Sequence, residues 1–158
     1  VRPNIETGIS GKAMFATAKI AASGMLYLAM AAGTISAQGL PPRIEAASAR
    51  LAKAHIFAIG GVGFAGMTSD EEKDFRLILA DSSASKVFVT LYERGNNQAK
   101  AYALLGLYTV DPDRFHEIFP SATASNEELH QMQGCIMSNE KLSILAKRIG
   151  DGAFSPRK

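Results

Sequence analysis

The chain has 158 residues, 47% hydrophobic and 20% charged, the proportions of a globular domain and not of a disordered tail. Of its 17 basic and 15 acidic residues only Arg2, Lys12, Lys19 and Glu6 precede Ala37, so 14 of each sign remain after it and the formal charge there is zero. A neutral domain offers no electrostatic footprint for a phosphate backbone, so nucleic acid is not expected as a partner.

The first segment reads as an address. From Ile20 to Pro42 no charged residue occurs, and Lys19 stands just ahead of the run. Met14 to Ala37 therefore has the basic start, the apolar middle and the small-residue exit (Gly33-Thr-Ile35-Ser-Ala37) of a signal peptide, cut between Ala37 and Gln38. Pro41 and Pro42 prevent a helix from running on into the mature domain. Residues 1–13 show no apolar periodicity and read as an upstream extension. The competing reading keeps Ile20 to Leu40 as an N-terminal membrane anchor, since about 20 apolar residues span a bilayer, although its Ala, Gly and Ser content makes a weak span. The expectation is an exported protein, periplasmic or secreted, whose residues 38–158 form a single helical domain with no membrane partner after cleavage.

Within that domain the apolar spacing predicts helices. Ile44, Ala47 and Leu51 mark one over Arg43 to Ala54. Ala54 to Gly66 is apolar and glycine-rich and reads as a turn packed under the helices. Ser69 to Glu72 has the spacing of a capping box, opening a helix that buries Phe75, Ile78 and Leu79 and ends at Asp81-Ser82-Ser83. Ala84, Val87, Phe88, Leu91 and Tyr92 continue in helical register up to Gly95-Asn96-Asn97, and Tyr102, Leu105 and Tyr108 share one side of the next helix. Asp111-Pro112 caps a helix with Phe115, Ile118 and Phe119 inward that is expected to stop at Pro120. Ser125 to Glu128 repeats the capping spacing, and Leu142, Leu145, Ala146 and Ile149 form a last helix before Gly150, after which Asp151 to Lys158 reads as a frayed end. The predicted class is all-α: a small bundle of short helical hairpins, with the likeness of Phe75-Arg-Leu-Ile-Leu79 to Tyr102-Ala-Leu-Leu-Gly-Leu107 hinting at a helical repeat.

Phe57-Ala-Ile-Gly-Gly-Val-Gly-Phe-Ala-Gly66, Ser69-Asp-Glu-Glu72, Lys100-Ala-Tyr-Ala-Leu-Leu-Gly-Leu107, Asp113-Arg-Phe115 and Gly134-Cys135-Ile136 together resemble small secreted bacterial proteins of unknown function, some of them named after a gene of a microcin-production cluster. The resemblance runs from about His55 to Gly152. It implies a bacterial source and an exported product, and no activity. Relatives often carry a second cysteine where this chain has Leu105, so the resemblance does not by itself imply a disulfide to Cys135 here.

Several motifs compete for a chemical reading. Gly61-Val-Gly63-Phe-Ala-Gly66 is a literal GxGxxG, with Glu93 available as a ribose acid, but the next helix starts at Ser69 and not among the glycines, so a tight apolar turn is expected instead. Cys135 with His116 or His130 could form a nucleophile and base; the plainer alternatives are a packed thiol or an intermolecular disulfide. His55, Asp113, His116, Glu117, His130 and Cys135 lack zinc-hydrolase spacing. Asp70, Glu71 and Glu72, and likewise Glu127 and Glu128, suit helix first turns. Tyr92, Tyr102, Tyr108, Phe88 and Phe115 suit a core, or an aromatic partner surface. No catalytic residue, cofactor or metal is therefore expected. The leading function is a non-enzymatic exported helical module that binds another protein or the cell envelope; the alternative is a small envelope hydrolase or thiol enzyme using Cys135 with His116 or His130.

Overall fold

A computed structural model describes residues 39–154 of the chain; the segments expected to be a signal peptide, its cut at Ala37-Gln38 and an upstream extension lie outside the described residues. Pro42–Leu51 is α1, Phe57–Val62 β1, Asp70–Leu79 α2, Ala84–Arg94 α3, Asn97–Val110 α4, Pro112–Thr123 α5, Glu128–Gly134 β2, Ile136–Lys141 β3 and Leu142–Gly150 α6. The helices largely follow the spacing of their apolar residues. Ile44, Ala47 and Leu51 are buried in α1, Phe75 and Ile78 in α2, Val87, Phe88 and Leu91 in α3, and Leu145, Ala146 and Ile149 in α6.

The all-α expectation fails, because β1, β2 and β3 form a mixed sheet in that order, β1 parallel to β2 and β2 antiparallel to β3. The fold is α/β. Two misread segments account for this. Phe57 to Val62 is a short apolar run bounded by glycines, which a buried strand satisfies as well as a turn does, and Phe57 and Ala58 are both buried. At Ser125 the hydroxyl accepts from Glu127 N two residues on, making a local turn, and the chain leaves it extended, with Leu129 inward and His130 outward. Nor is there a helical repeat: α2 buries a single stripe, whereas α4 is buried on almost every side.

Helix α4 is the axis of the core. Gly106 lets α3 approach it, since a Cβ there would collide with the ring of Phe88. Asn96 fixes the turn between the two helices: its Oδ1 accepts from Ala99 N at 2.9 Å, its Nδ2 donates to Ala54 O at 2.7 Å, and its N–H donates to Ala52 O. Asp111 caps α5 by accepting from Arg114 N. That helix does not stop at Pro120 but runs on to Thr123; Pro120 is on the exposed side, where water can reach the His116 carbonyl it leaves without a donor. The expected frayed end is also corrected as far as Phe154, whose ring meets Phe57 edge-on at 5.6 Å and lies 5.2 Å below the Arg148 guanidinium.

The sheet is tied to the helices through the free edge of β1. Phe57 is in register with Gln131 of β2 and the register slips between Ala58 and Val62, while backbone groups of Ala58 and Gly60 are met by side chains of the helices. Ala58 N–H donates to the Tyr102 hydroxyl at 2.9 Å, the hydroxyl donates to Ala58 O at 3.0 Å, and Gly60 N–H donates to Glu72 Oε2 at 2.9 Å. Ser69 caps α2 as its spacing predicts, but Glu72 does not return the bond; its carboxylate serves Gly60 and Arg76. Burial first, with Ala58 hydrogen-bonding opposing it, pushes the Tyr102 hydroxyl up to about 12.

Tyr102→Phe strands a buried donor and acceptor of Ala58, and urea denaturation should show a loss of about 1–3 kcal/mol. In addition, the raised phenol adds stability that is whole below about pH 10 and is lost as pH rises from about 10 to about 12, on the order of 2–3 kcal/mol. Alkaline unfolding followed by circular dichroism should show that loss in the parent and a flatter curve in Tyr102→Phe.

Candidate functional site

The glycine motif builds a hairpin and not a phosphate cradle. Val62 and Met67 exchange both backbone hydrogen bonds, at 2.8 and 2.9 Å, and between them Gly66 N–H donates to Gly63 O at 3.2 Å. Gly63 and Gly66 have φ of +70° and +62°, a conformation side chains resist, and a Cβ on Gly61 would press to 3.0 Å on Gly66 O. Gly63 N–H donates to Gly134 O, so the N–H groups a pyrophosphate would need at Val62, Gly63, Gly66 and Met67 are already engaged. The following helix opens with Asp70, Glu71 and Glu72, which repel an anion at its N-terminus.

That bond from Gly63 places the turn beside a second one. Gln133 pairs with Ile136, so Gly134 and Cys135 form a two-residue loop joining β2 to β3, with Gly134 at φ +59°. Cys135 thus lies between two strands, exposed and not packed, and its thiol is free. His130 is on the outer face of β2, its Nδ1 2.7 Å from Asn139 Oδ1 across the pair. His116 is on exposed α5, its ring against Phe115. The structure therefore does not assemble Cys135 with either histidine through a hydrogen bond. Among the described residues no three of His, Cys, Asp and Glu converge as metal ligands.

The paired turns instead gather apolar side chains that face water. Phe64, at the apex of the first turn, is 103% exposed, Met67 65%, Ile136 72% and Met137 66%. Neighbouring residues of a strand point to opposite faces, so Ile136 and Met137 make both sides of the hairpin end apolar. No charged side chain occurs from Ile56 to Ser69 or from Gln131 to Asn139. Sequence reasoning missed these four residues, although an aromatic between two turn glycines, inside an uncharged stretch, is a legible signal.

Of the concavities elsewhere, two bear on the chemistry. The larger, about 670 Å³ between α1 and α2, is lined in part by two ion pairs: Arg50 donates to both oxygens of Asp74 at 2.8 and 2.5 Å, and Lys73 holds Asp70 at 2.8 Å. The Lys73 hydrogen bond and charge lower the Asp70 carboxyl, and Asp74 raises the Arg50 guanidinium in the same way. The other, about 400 Å³, is apolar, with Ile59, Phe75, Leu79, Leu105 and Phe154 along it and the Glu72-Arg76 ion pair at its side. The aromatic set divides as well: Phe88, Tyr102 and Phe115 are buried, while Tyr92 reaches Ser121 Oγ at 3.1 Å near the surface.

Comparison with protein-family models, curated proteins and solved structures finds no significant match to this chain. Its chemistry must therefore be read from its own geometry. A thiol reagent should modify native Cys135 completely, at a rate that His116→Ala and His130→Ala leave within about twofold; a drop of tenfold or more in either variant would restore the thiol-enzyme reading.

Proposed function

We propose that this chain is an exported, non-enzymatic α/β module that binds another protein or the cell envelope through the apolar end of its sheet. The observation that carries the reading is Phe64, wholly exposed on a turn held by its own hydrogen bonds, with Met67 exposed at the end of the same turn and Ile136 and Met137 exposed just past the turn to which Gly63 is bonded. Contiguous apolar surface on an otherwise well-packed domain marks a contact site, since each such side chain gains about 1.5–3 kcal/mol when it is removed from water. Export rests on the composition of Met14 to Ala37, and the resemblance to small secreted bacterial proteins points the same way. The separation of Cys135 from a base favours binding over thiol chemistry.

The test uses the mature chain beginning at Gln38, immobilised and exposed to an envelope fraction. A bound component retained by the parent should be lost at least roughly tenfold in Phe64→Ser and kept in Ile144→Ser, which alters an exposed residue of α6 instead. Equal retention by all three would remove the apolar end as the contact surface.

A further inference from the structure

We propose that the partner of this apolar end is a lipid surface, into whose interface the paired turns insert. The inference rests on the reading of the chain as a binding module and names what that module binds. It reverses the sequence-based expectation of no membrane partner after cleavage, and it concerns a peripheral contact, not a span; among the described residues no helix is long and apolar enough to cross a membrane.

Three observations select a bilayer over a protein or a second copy. The first is shape. Ile136 and Met137 face opposite ways on one hairpin end and Phe64 stands at the apex of the adjoining turn, so the end is apolar around its sides. A flat two-fold interface would cover one of those sides and leave the other wet, whereas a fluid interface covers both. The second is that the backbone at the base of both turns is already satisfied, Val62 with Met67, Gly66 with Gly63, Gly63 with Gly134, and Gln133 paired to Ile136, which leaves the apical groups of Phe64, Ala65 and Cys135 to the hydrated headgroup layer. Unpaired N–H and C=O groups are what keeps irregular chain out of lipid. The third is where charge begins. From Ile136 the strand carries no charge until Glu140 and Lys141, four and five steps on, or about 13 and 16 Å at ~3.3 Å per residue. Elements lying in the interface sink about 5–10 Å, so this hairpin can bury its end while its charges remain in water. The two inserting segments carry no lysine or arginine, so the contact does not depend on anionic headgroups.

The chain contains no tryptophan, so Phe64→Trp gives a single reporter at the apex. Vesicles of pure phosphatidylcholine should shift its emission to the blue, brominated acyl chains should quench it, and raising salt from about 50 to about 500 mM should leave the shift unchanged. Flotation of the otherwise unaltered mature chain with the same vesicles should fall at least roughly tenfold in an Ile136→Ser, Met137→Ser double variant and persist in Ile144→Ser. Emission that stays red at several millimolar lipid would overturn the proposal. If Phe64-dependent capture of an envelope protein then persists, the binding-module reading survives alone; if that also fails, both fall. A blue shift that appears with protein concentration and without lipid would identify a second copy and likewise overturn the lipid assignment.

Discussion

The structure depends on one phenol. Tyr102 lies on α4, the helix buried on nearly every side, and its hydroxyl both accepts from and donates to the backbone of Ala58. A strand edge is a row of unpaired donors and acceptors, costly when buried and adhesive when exposed. Here α4 serves the groups of Ala58, and α2 serves Gly60 through Glu72. Two side chains thereby take the place of a fourth strand, and the edge of the sheet is sealed against the helices without further chain. The Phe57 ring beside Tyr102, 4.8 Å between centroids, lets the same region remain apolar.

Sealing one side sets the character of the other. Because β1 is held on α4 and α2, the sheet grows only toward β2 and β3, and these become more exposed toward their shared turn. Near its base the hairpin is anchored: Leu129 is buried, and Glu140 receives Arg148 of α6 at 2.9 and 3.0 Å. Toward Ile136 no helix among the described residues covers it. The turn after β1 is drawn along by the Gly63 to Gly134 bond, so the two least covered turns of the sheet meet in one place. Their proximity is a consequence of parallel pairing: β1 and β2 end on the same side, and the segments beyond them are brought together.

The helical part of this arrangement is legible in the sequence, because each helix has a local cause. Ile44-Ala47-Leu51, the Ser69 cap and Asp111 before Pro112 are decided within about ten residues, and each appears where its spacing puts it. The sheet has no such cause. Phe57 to Val62 becomes a strand because Gln131, more than seventy residues later, pairs with it and because Tyr102 lies behind it, neither of which a window can see. Ser125 to Glu128 has the letters of a capping box, but the residues beyond it offer Leu129 as their only deeply buried side chain, too little for a helix to bury. The glycine motif reads as a tight apolar turn and folds as one; its neighbour in space, the Gly134-Cys135 turn, cannot be known without the sheet.

The greasy character of the exposed end needs a cause of its own. The geometry of the first turn requires glycine at 63 and 66, where φ is positive, and tolerates almost anything at Phe64 and Ala65. Serine or asparagine at the apex would fold as well and would spare the chain an aromatic ring in water. Met67, Ile136 and Met137 are likewise uninvolved in the core, which closes over Phe57, Tyr102 and Leu129 without them. Edge strands and hairpin ends are usually blunted with lysine, proline or a bulge, and β3 has none of these before Lys141. Folding therefore leaves these four side chains unexplained, and their cost in water is offset only where something apolar receives them.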